Sequence, residues 1–430
     1  MYISRPKTFA VLYRFLKFLI FWASKVYFRK LYFFNREKIP RDKRLIFAVN
    51  HPSAFLDAII PAVHMSQVYY FLVRGDIYGN KWVRKLLFAL HTIPIFRFRD
   101  GFRRMRNNQA SFDRAYQILE RGKQAMMIMA EGGNSERKQL LPLQKGAARL
   151  AFGAYEAKKL ADLAIVPVGV NYTDVWRFRS DVMVSFGDPL FIADYLDAYG
   201  ENPRKTVTQL TRDLEKAMRR EVVQIDRAED ERWANPLLDI AREGEGQEGA
   251  LDREFERIAR INAMAPETRE ACAVALKRYE KRLSDTGLRY GIHKPASAFY
   301  IKGLGYFLGT LPFGLAWLLH APPLLFSHWL IKKMVPSPIF FPSIRFTSAM
   351  FIWLFYWIAL SALSAVALAK ADFIALLLLW FVMLFLGFYA LPFFEGFSRW
   401  RDAFRMRRLK PELKQDLHQI RAELLAYISP

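Results

Sequence analysis

Two apolar runs, 347–369 and 373–391, are separated only by Lys370, Ala371 and Asp372. Each is close to the ~20 residues that a helix needs to cross a hydrocarbon core. Inside that core the backbone has to satisfy its own polar groups, which leaves a short isolated run little choice but helix. The pair therefore reads as a transmembrane hairpin. The run 303–331 is also apolar, but Pro312, Pro322 and Pro323 interrupt it. It reads as one span plus a short helix, or as a re-entrant segment. Lys332, Lys333 and Arg345 precede the hairpin, and Arg399, Arg401, Arg405, Arg407 and Arg408 follow it. Basic flanks favour the cytoplasmic side. Both hairpin ends and the basic N-terminal part are expected there, which favours an even number of crossings and hence a re-entrant or twice-crossing 303–331.

The rest of the 430 residues divides by character. Residues 1–40 mix Phe, Leu, Trp and Tyr with Arg14, Lys17, Lys25, Arg29 and Lys30. That mixture is too charged to span, and it lacks the clean apolar core and cleavage site of a signal peptide. It suits an interfacial amphipathic membrane anchor over 1–40, aromatic-rich from 8 to 34, or a helix packed on the next domain. Residues 41–195 alternate short apolar runs (45–49, 69–73, 92–96, 124–130, 163–170 and 182–186) with helix-like stretches at 112–121 and 144–159. Buried strands interleaved with helices define an α/β domain. Residues 196–298 form a charged helical insertion, 299–398 the membrane region, and 399–430 a basic amphipathic tail. Lys and Arg exceed Asp and Glu by 64 to 41, a net charge of +23. That balance suits anionic lipid as well as nucleic acid, but no nucleic-acid recognition motif accompanies it. The single cysteine, Cys272, excludes an intramolecular disulfide and a Cys-rich zinc module.

Polar residues cluster where the apolar runs of the α/β domain stop. Open α/β sheets form their sites at such strand ends. The first cluster is Asn50-His51-Pro52-Ser53-Ala54-Phe55-Leu56-Asp57. A histidine takes a proton near neutral pH, and a carboxylate can hold its ring in one tautomer. No activated enzyme nucleophile accompanies the pair, so it suits activation of a substrate hydroxyl. A plain helix start, with Asn50 or Ser53 as cap, reads the same residues differently. The second cluster is 93–101, where a strand delivers Arg97 and Arg99; the planar guanidinium suits phosphate. Arg74 ends another strand in the same manner. The third is Glu131-Gly132-Gly133-Asn134-Ser135, an acid followed by glycines that permit close backbone approach. It can meet a phosphate or oxyanion, or be an ordinary turn. The fourth, 165–170, is a strand whose Pro167 argues against a central, fully paired position.

In order and character these four clusters resemble the sequence blocks of the glycerolipid acyltransferases, over roughly 45–190. The family's first block is His, four residues, Asp; here Asn50-His51 and Asp57 are separated by five. The strand ending at Arg97 is similar to the second block. Glu131-Gly132, Ser135 and Arg137 are similar to the third, with Gly133-Asn134 inserted, and the Val166-Pro167 strand to the fourth. A fully helical interval would let the extra residue rotate Asp57 by about 100° away from His51. The pair therefore requires the extra residue to sit in a loop near Pro52.

The resemblance implies a mixed sheet flanked by helices and acyl transfer from an acyl-CoA or acyl-carrier protein thioester to a hydroxyl, without cofactor or metal. It implies His51 as general base and Asp57 as its orienting partner. Arg97, with Arg99 and Arg74, would hold an acceptor phosphate. Glu131, Gly132, Gly133 and Ser135 would position the acceptor or support the oxyanion. Partners would be membrane lipids, the thioester and a phosphate-bearing glycerol acceptor, with no nucleic acid. The five-residue spacing tilts the acceptor towards glycerol-3-phosphate, with lysophosphatidate or another lysophospholipid as the alternative. A non-catalytic lipid-binding scaffold on the same fold is the competing reading. The expected location is integral to a membrane, such as a bacterial inner membrane, with the catalytic domain on the cytoplasmic side.

Overall fold

A computed structural model describes the chain except for residues 1–6, 97–100, 102–105, 107, 136, 244–248, 289–298, 336–337, 368–372 and 430. It contains two compact units, Met1–Asp226 and Arg227–Pro430.

The first unit is built on a sheet of eight strands among the described residues. They are β1 (Lys30–Phe34), β2 (Arg44–Val49), β3 (Val68–Arg74), β4 (Thr92–Ile95), β5 (Gln124–Met129), β6 (Leu163–Tyr172), β7 (Asp181–Phe186) and β8 (Leu190–Phe191). The spatial order is β1-β7-β6-β2-β5-β3-β4, with β8 on β6. Strands β6, β2, β5, β3 and β4 run parallel. Strand β7 is antiparallel to β6 and parallel to β1. The sheet is therefore mixed, as the sequence implied. Its centre explains why the runs lack polar alternation: β6 and β7 are buried along their whole length, and β2 from Leu45 onwards. Strands covered on both faces read as continuous apolar runs.

The helices of this unit are α1 (Lys7–Tyr27), α2 (Leu56–His64), α3 (Lys81–Ala89), α4 (Asn108–Glu120), α5 (Gly146–Lys158), α6 (Leu196–Glu201) and α7 (Pro203–Arg219). Ile46, Met126 and Ile165 meet Ala115, Leu119, Ala151, Phe152, Leu210 and Leu214 in one core cluster, so α4, α5 and α7 pack with the sheet. Phe47 instead forms an edge-on aromatic cluster with Tyr69 and Phe186. Each such fully buried ring contributes about 1.5–3 kcal/mol relative to exposure.

Three expectations change. Lys30–Phe34 is not helical; it pairs with β7, so the sheet begins before residue 41. Three consecutive aromatics, Tyr32, Phe33 and Phe34, lie in that strand, and the Arg29–Asp181 fork, at 2.8 and 2.6 Å, ties its start to β7. Helix α7 belongs to the α/β unit, because its apolar stripe Leu210, Leu214 and Met218 lies in the core. Pro167 sits in a central strand after all. It falls between the β8 pairing at Ala164–Ile165 and the β7 pairing that starts at Val168, where a missing N–H breaks no antiparallel bond.

Helix α1 presents two faces. Ser24 Oγ lies 2.9 Å from His64 Nε2 on α2, and Lys17 Nζ donates to the Met65 carbonyl. Val11, Phe15, Phe18, Trp22 and Val26 form an exposed apolar stripe at helical spacing. Packing and an outward apolar face therefore coexist.

The second unit is helical: α8 (Glu231–Arg242), α9 (Ala250–Ala263), α10 (Pro266–Thr286), α11 (Phe299–Met334), α12 (Phe341–Ala367), α13 (Phe373–Arg408) and α14 (Pro411–Ala426). Among the described residues, three helices are long and apolar enough to cross a membrane, and they fall in α11, α12 and α13. The 303–331 run is one uninterrupted helix rather than a broken or re-entrant one; neighbouring helices let a membrane helix tolerate its prolines. Helices α11 and α13 pair antiparallel. Phe299 stacks with Trp400, Tyr389 Oη donates to the Gly309 carbonyl, and His320 Nε2 meets the Met383 carbonyl. The start of α11 thus lies beside the end of α13; the candidate spans number three among the described residues, not the even number the charge pattern favoured. The tail helix α14 packs on the charged segment through Arg278–Glu423 (2.6 Å) and Arg282–Asp416 (2.8 Å).

Candidate active site

Parallel strands β2, β5, β3 and β4 lie side by side and end at one edge of the sheet. Their ends lead to His51, Glu131, Arg74 and Phe96, respectively. The period-two pairing thus brings three separate sequence clusters to one edge.

Asn50 anchors the first of them. Its side chain accepts from the Val170 N–H at 2.7 Å and donates to the Val170 carbonyl at 3.2 Å, while its own N–H bonds the Val168 carbonyl. It clamps the end of β2 to β6. Neither Asn50 nor Ser53 caps the following helix, whose N-cap position is Phe55.

His51 Nδ1 lies 3.0 Å from Asp57 Oδ2, and the Ser53 N–H donates to the same oxygen at 2.7 Å. Asp57 is fully buried, whereas the His51 side chain is 18% exposed. With Asp57 accepting from Nδ1–H, Nε2 is the ring nitrogen left as an acceptor. Burial pushes the Asp57 carboxyl up; the bonds from His51 and the Ser53 N–H pull it back. The extra residue of the five-residue spacing lies in the loop before α2, where Ala54 takes φ +41°. An L-residue adopts that region at a steric cost, a strain typical of functional turns.

Glu131 is buried, and both of its oxygens bond backbone. Oε1 accepts from the His51 N–H at 2.7 Å and Oε2 from the Leu141 N–H at 3.0 Å. It staples the His51 loop to the loop after β5. Burial pushes its carboxyl up, and those two backbone bonds pull it back. Gly132 has φ +65°, and its N–H donates to Met129 O, so that donor is taken up by the turn. A Cβ there would meet Gln144 Cγ at 2.7 Å. Gly133 is half-buried. The Ser135 N–H donates to the His51 carbonyl, and its Oγ accepts from the Arg137 N–H. His51 is therefore held at its N–H, its carbonyl and its ring.

Arg74 is exposed and paired with Asp76, its Nε 3.1 Å from Oδ1. It neighbours Ile95 across β3 and β4. Arg97 and Arg99 lie outside the described residues. Sequence reasoning missed the clamp formed by Asn50; a polar residue closing a fully apolar strand is the signal it offered. Cys272 lies buried on α10, and burial pushes its thiol up to about 12, which makes it a poor nucleophile. Among the described residues no three His, Cys, Asp or Glu side chains converge to hold a metal.

Residues 30–171 match the family model described as Acyltransferase, about a third of the chain. Glycerol-3-phosphate O-acyltransferase 2 of Saccharomyces cerevisiae is 35% identical over 88 residues, covering 20% of this chain and 12% of that protein. Glycerol-3-phosphate O-acyltransferase 1 of the same yeast is 38% identical over 94 residues, covering 21% and 12%. The chain thus matches only a small part of these relatives' length. The crystal structure of the 1-acyl-sn-glycerophosphate acyltransferase PlsC from Thermotoga maritima aligns with a TM-score of 0.35 and 17% identity, over 50% of this chain and 83% of that one. Residues 30–171 form an acyltransferase domain. Over that segment the chain is similar to glycerol-3-phosphate O-acyltransferases.

Proposed function

We propose that this protein is a membrane-bound O-acyltransferase of phospholipid biosynthesis. It moves a fatty acyl group from an acyl-CoA or acyl-carrier protein thioester to a hydroxyl of glycerol-3-phosphate or a related phosphate-bearing acceptor. The observation that carries the reading is the His51–Asp57 hydrogen bond at the strand-end edge, made despite the long spacing. His51 Nε2 takes the proton of the acceptor hydroxyl as its oxygen attacks the thioester carbonyl. The tetrahedral oxyanion collapses, the C–S bond breaks, and the leaving thiolate takes that proton. General-base assistance of this kind contributes about 10²–10⁴-fold. Both substrates bind together and no acyl-enzyme forms.

Arg97, with Arg99 and Arg74, holds the acceptor phosphate. The Gly133 N–H and the Ser135 hydroxyl serve the acceptor or the oxyanion, since the Gly132 N–H is committed to the turn. The glycerol-3-phosphate named for both yeast relatives supports that acceptor over lysophosphatidate. Membrane attachment has a physical reason: a C16 chain carries about 15 methylenes, on the order of 12 kcal/mol against extraction into water. The exposed stripe of α1 and the three apolar helices serve that attachment, with the acyltransferase domain on the cytoplasmic side.

The test offers palmitoyl-CoA in mixed micelles with glycerol-3-phosphate, dihydroxyacetone phosphate or lysophosphatidate. Turnover on glycerol-3-phosphate, above the other two, is the expected result. Preference for lysophosphatidate overturns the acceptor assignment. Anionic-lipid binding without turnover, with either thioester carrier, favours the scaffold.

A further inference from the structure

Asp57 is held through one oxygen only. Oδ2 accepts from His51 and Ser53, while Oδ1 is buried and has no hydrogen-bond partner. A second buried polar atom without a partner is the hydroxyl of Tyr172. Tyr172 ends β6, two residues beyond the Val170 that Asn50 clamps, and its ring packs against Phe28. Its hydroxyl faces the Asp57 carboxylate. A phenylalanine would fill this apolar position equally well. A buried hydroxyl beside a buried orphan carboxylate oxygen therefore calls for a role.

We propose that Tyr172 is a positioning residue for the catalytic pair: its hydroxyl donates to Asp57 Oδ1, keeping the carboxylate ionised with Oδ2 aimed at His51. The inference rests on His51 acting as the base. Complete burial holds the phenol well above its ordinary value, so it remains a donor throughout the assay range. The titratable groups facing the pair are Glu131 and Tyr172, with Tyr27 beyond the phenol. Losing the donor makes the His51–Asp57 pair more basic as a unit, whichever member takes the proton. The acidic limb of kcat/KM must then move to higher pH.

The experiment measures kcat, both KM values and the pH profile for Tyr172→Phe, with the acceptor the wild type uses. Charge-assisted bonds of this kind predict a limb raised by roughly half to one pH unit, kcat lowered about 3–30-fold, and KM values within about twofold. Incorporating 3-fluorotyrosine at position 172 keeps the shape but makes the phenol more acidic. It must move the limb the opposite way. An unmoved limb with near-wild-type kcat in the phenylalanine variant overturns the proposal. If that variant does not fold, an unmoved limb in the fluorinated protein overturns it instead. Failure of the underlying reading looks different: His51→Ala stays active.

Discussion

His51 and Asp57 are hydrogen-bonded at 3.0 Å although five residues separate them. The bond exists because α2 begins only at Leu56, so the interval is loop and Ala54 absorbs the extra residue at φ +41°. Asp57 then sits in the first turn of α2, fixed by the Ser53 N–H. This relationship ties the spacing, the strained turn and the proposed chemistry together.

Ala54 is consequently sensitive to what replaces it. Ala54→Gly relieves the positive-φ strain and is expected to be stabilising or neutral, within about 1 kcal/mol. Ala54→Val, β-branched, is expected to destabilise by about 1–3 kcal/mol and to lower kcat by misplacing Asp57. Chemical denaturation and initial rates check both.

Asp57→Asn separates stability from activity. Burial raises the Asp57 carboxyl above its unfolded value of about 3.9, so ionisation opposes folding as pH rises past that value. The neutral amide lacks that penalty. Its melting temperature is expected to match or exceed that of the wild type at pH 8, and the gap to close as pH falls to about 4. Activity is nevertheless lost, because the His51 tautomer is no longer held. Thermal melts across pH, alongside rates, test this.

His64 makes the docking of α1 sensitive to acid. Burial, then Lys25, Arg36 and Lys17, push its imidazole down to about 4. The unfolded residue binds a proton below about 6.5, so the stability this burial confers is present above that pH and lost as pH falls towards 4. Hydrogen exchange along α1 is expected to quicken over that window in the wild type. The same window should be flat in His64→Gln.

Arg97→Ala is expected to raise the acceptor KM at least tenfold, about 1.4 kcal/mol, with the thioester KM nearly unchanged. Equal loss for a phosphate-free glycerol acceptor would remove Arg97 from phosphate binding.

Much of this was legible in the sequence, for identifiable reasons. The central strands β2, β5 and β6 carry continuous apolar runs, buried over most of their length, and that pattern is hard to hide. Strand β1 was not legible. Its aromatics continue the composition of α1, and only pairing with β7 decides its conformation. Pro167 misled because a lost donor matters only where a partner strand needs it, and the gap between β7 and β8 is a tertiary fact. At the site, His51 and Asp57 declared themselves by type and spacing. Glu131 did not reveal that both its oxygens bind backbone, since no sequence pattern encodes which N–H groups reach it.

The central claim is that His51 is the base for direct transfer. Its most direct test is acyl transfer by purified His51→Ala beside wild type, in the same micelles, with membrane insertion and melting temperature matched. The account predicts a fall in kcat of about 10²–10⁴-fold, binding of both substrates retained, and no acylated protein by mass spectrometry in either case. Wild-type turnover in the variant, or a covalent acyl-enzyme on the transfer pathway, would contradict it.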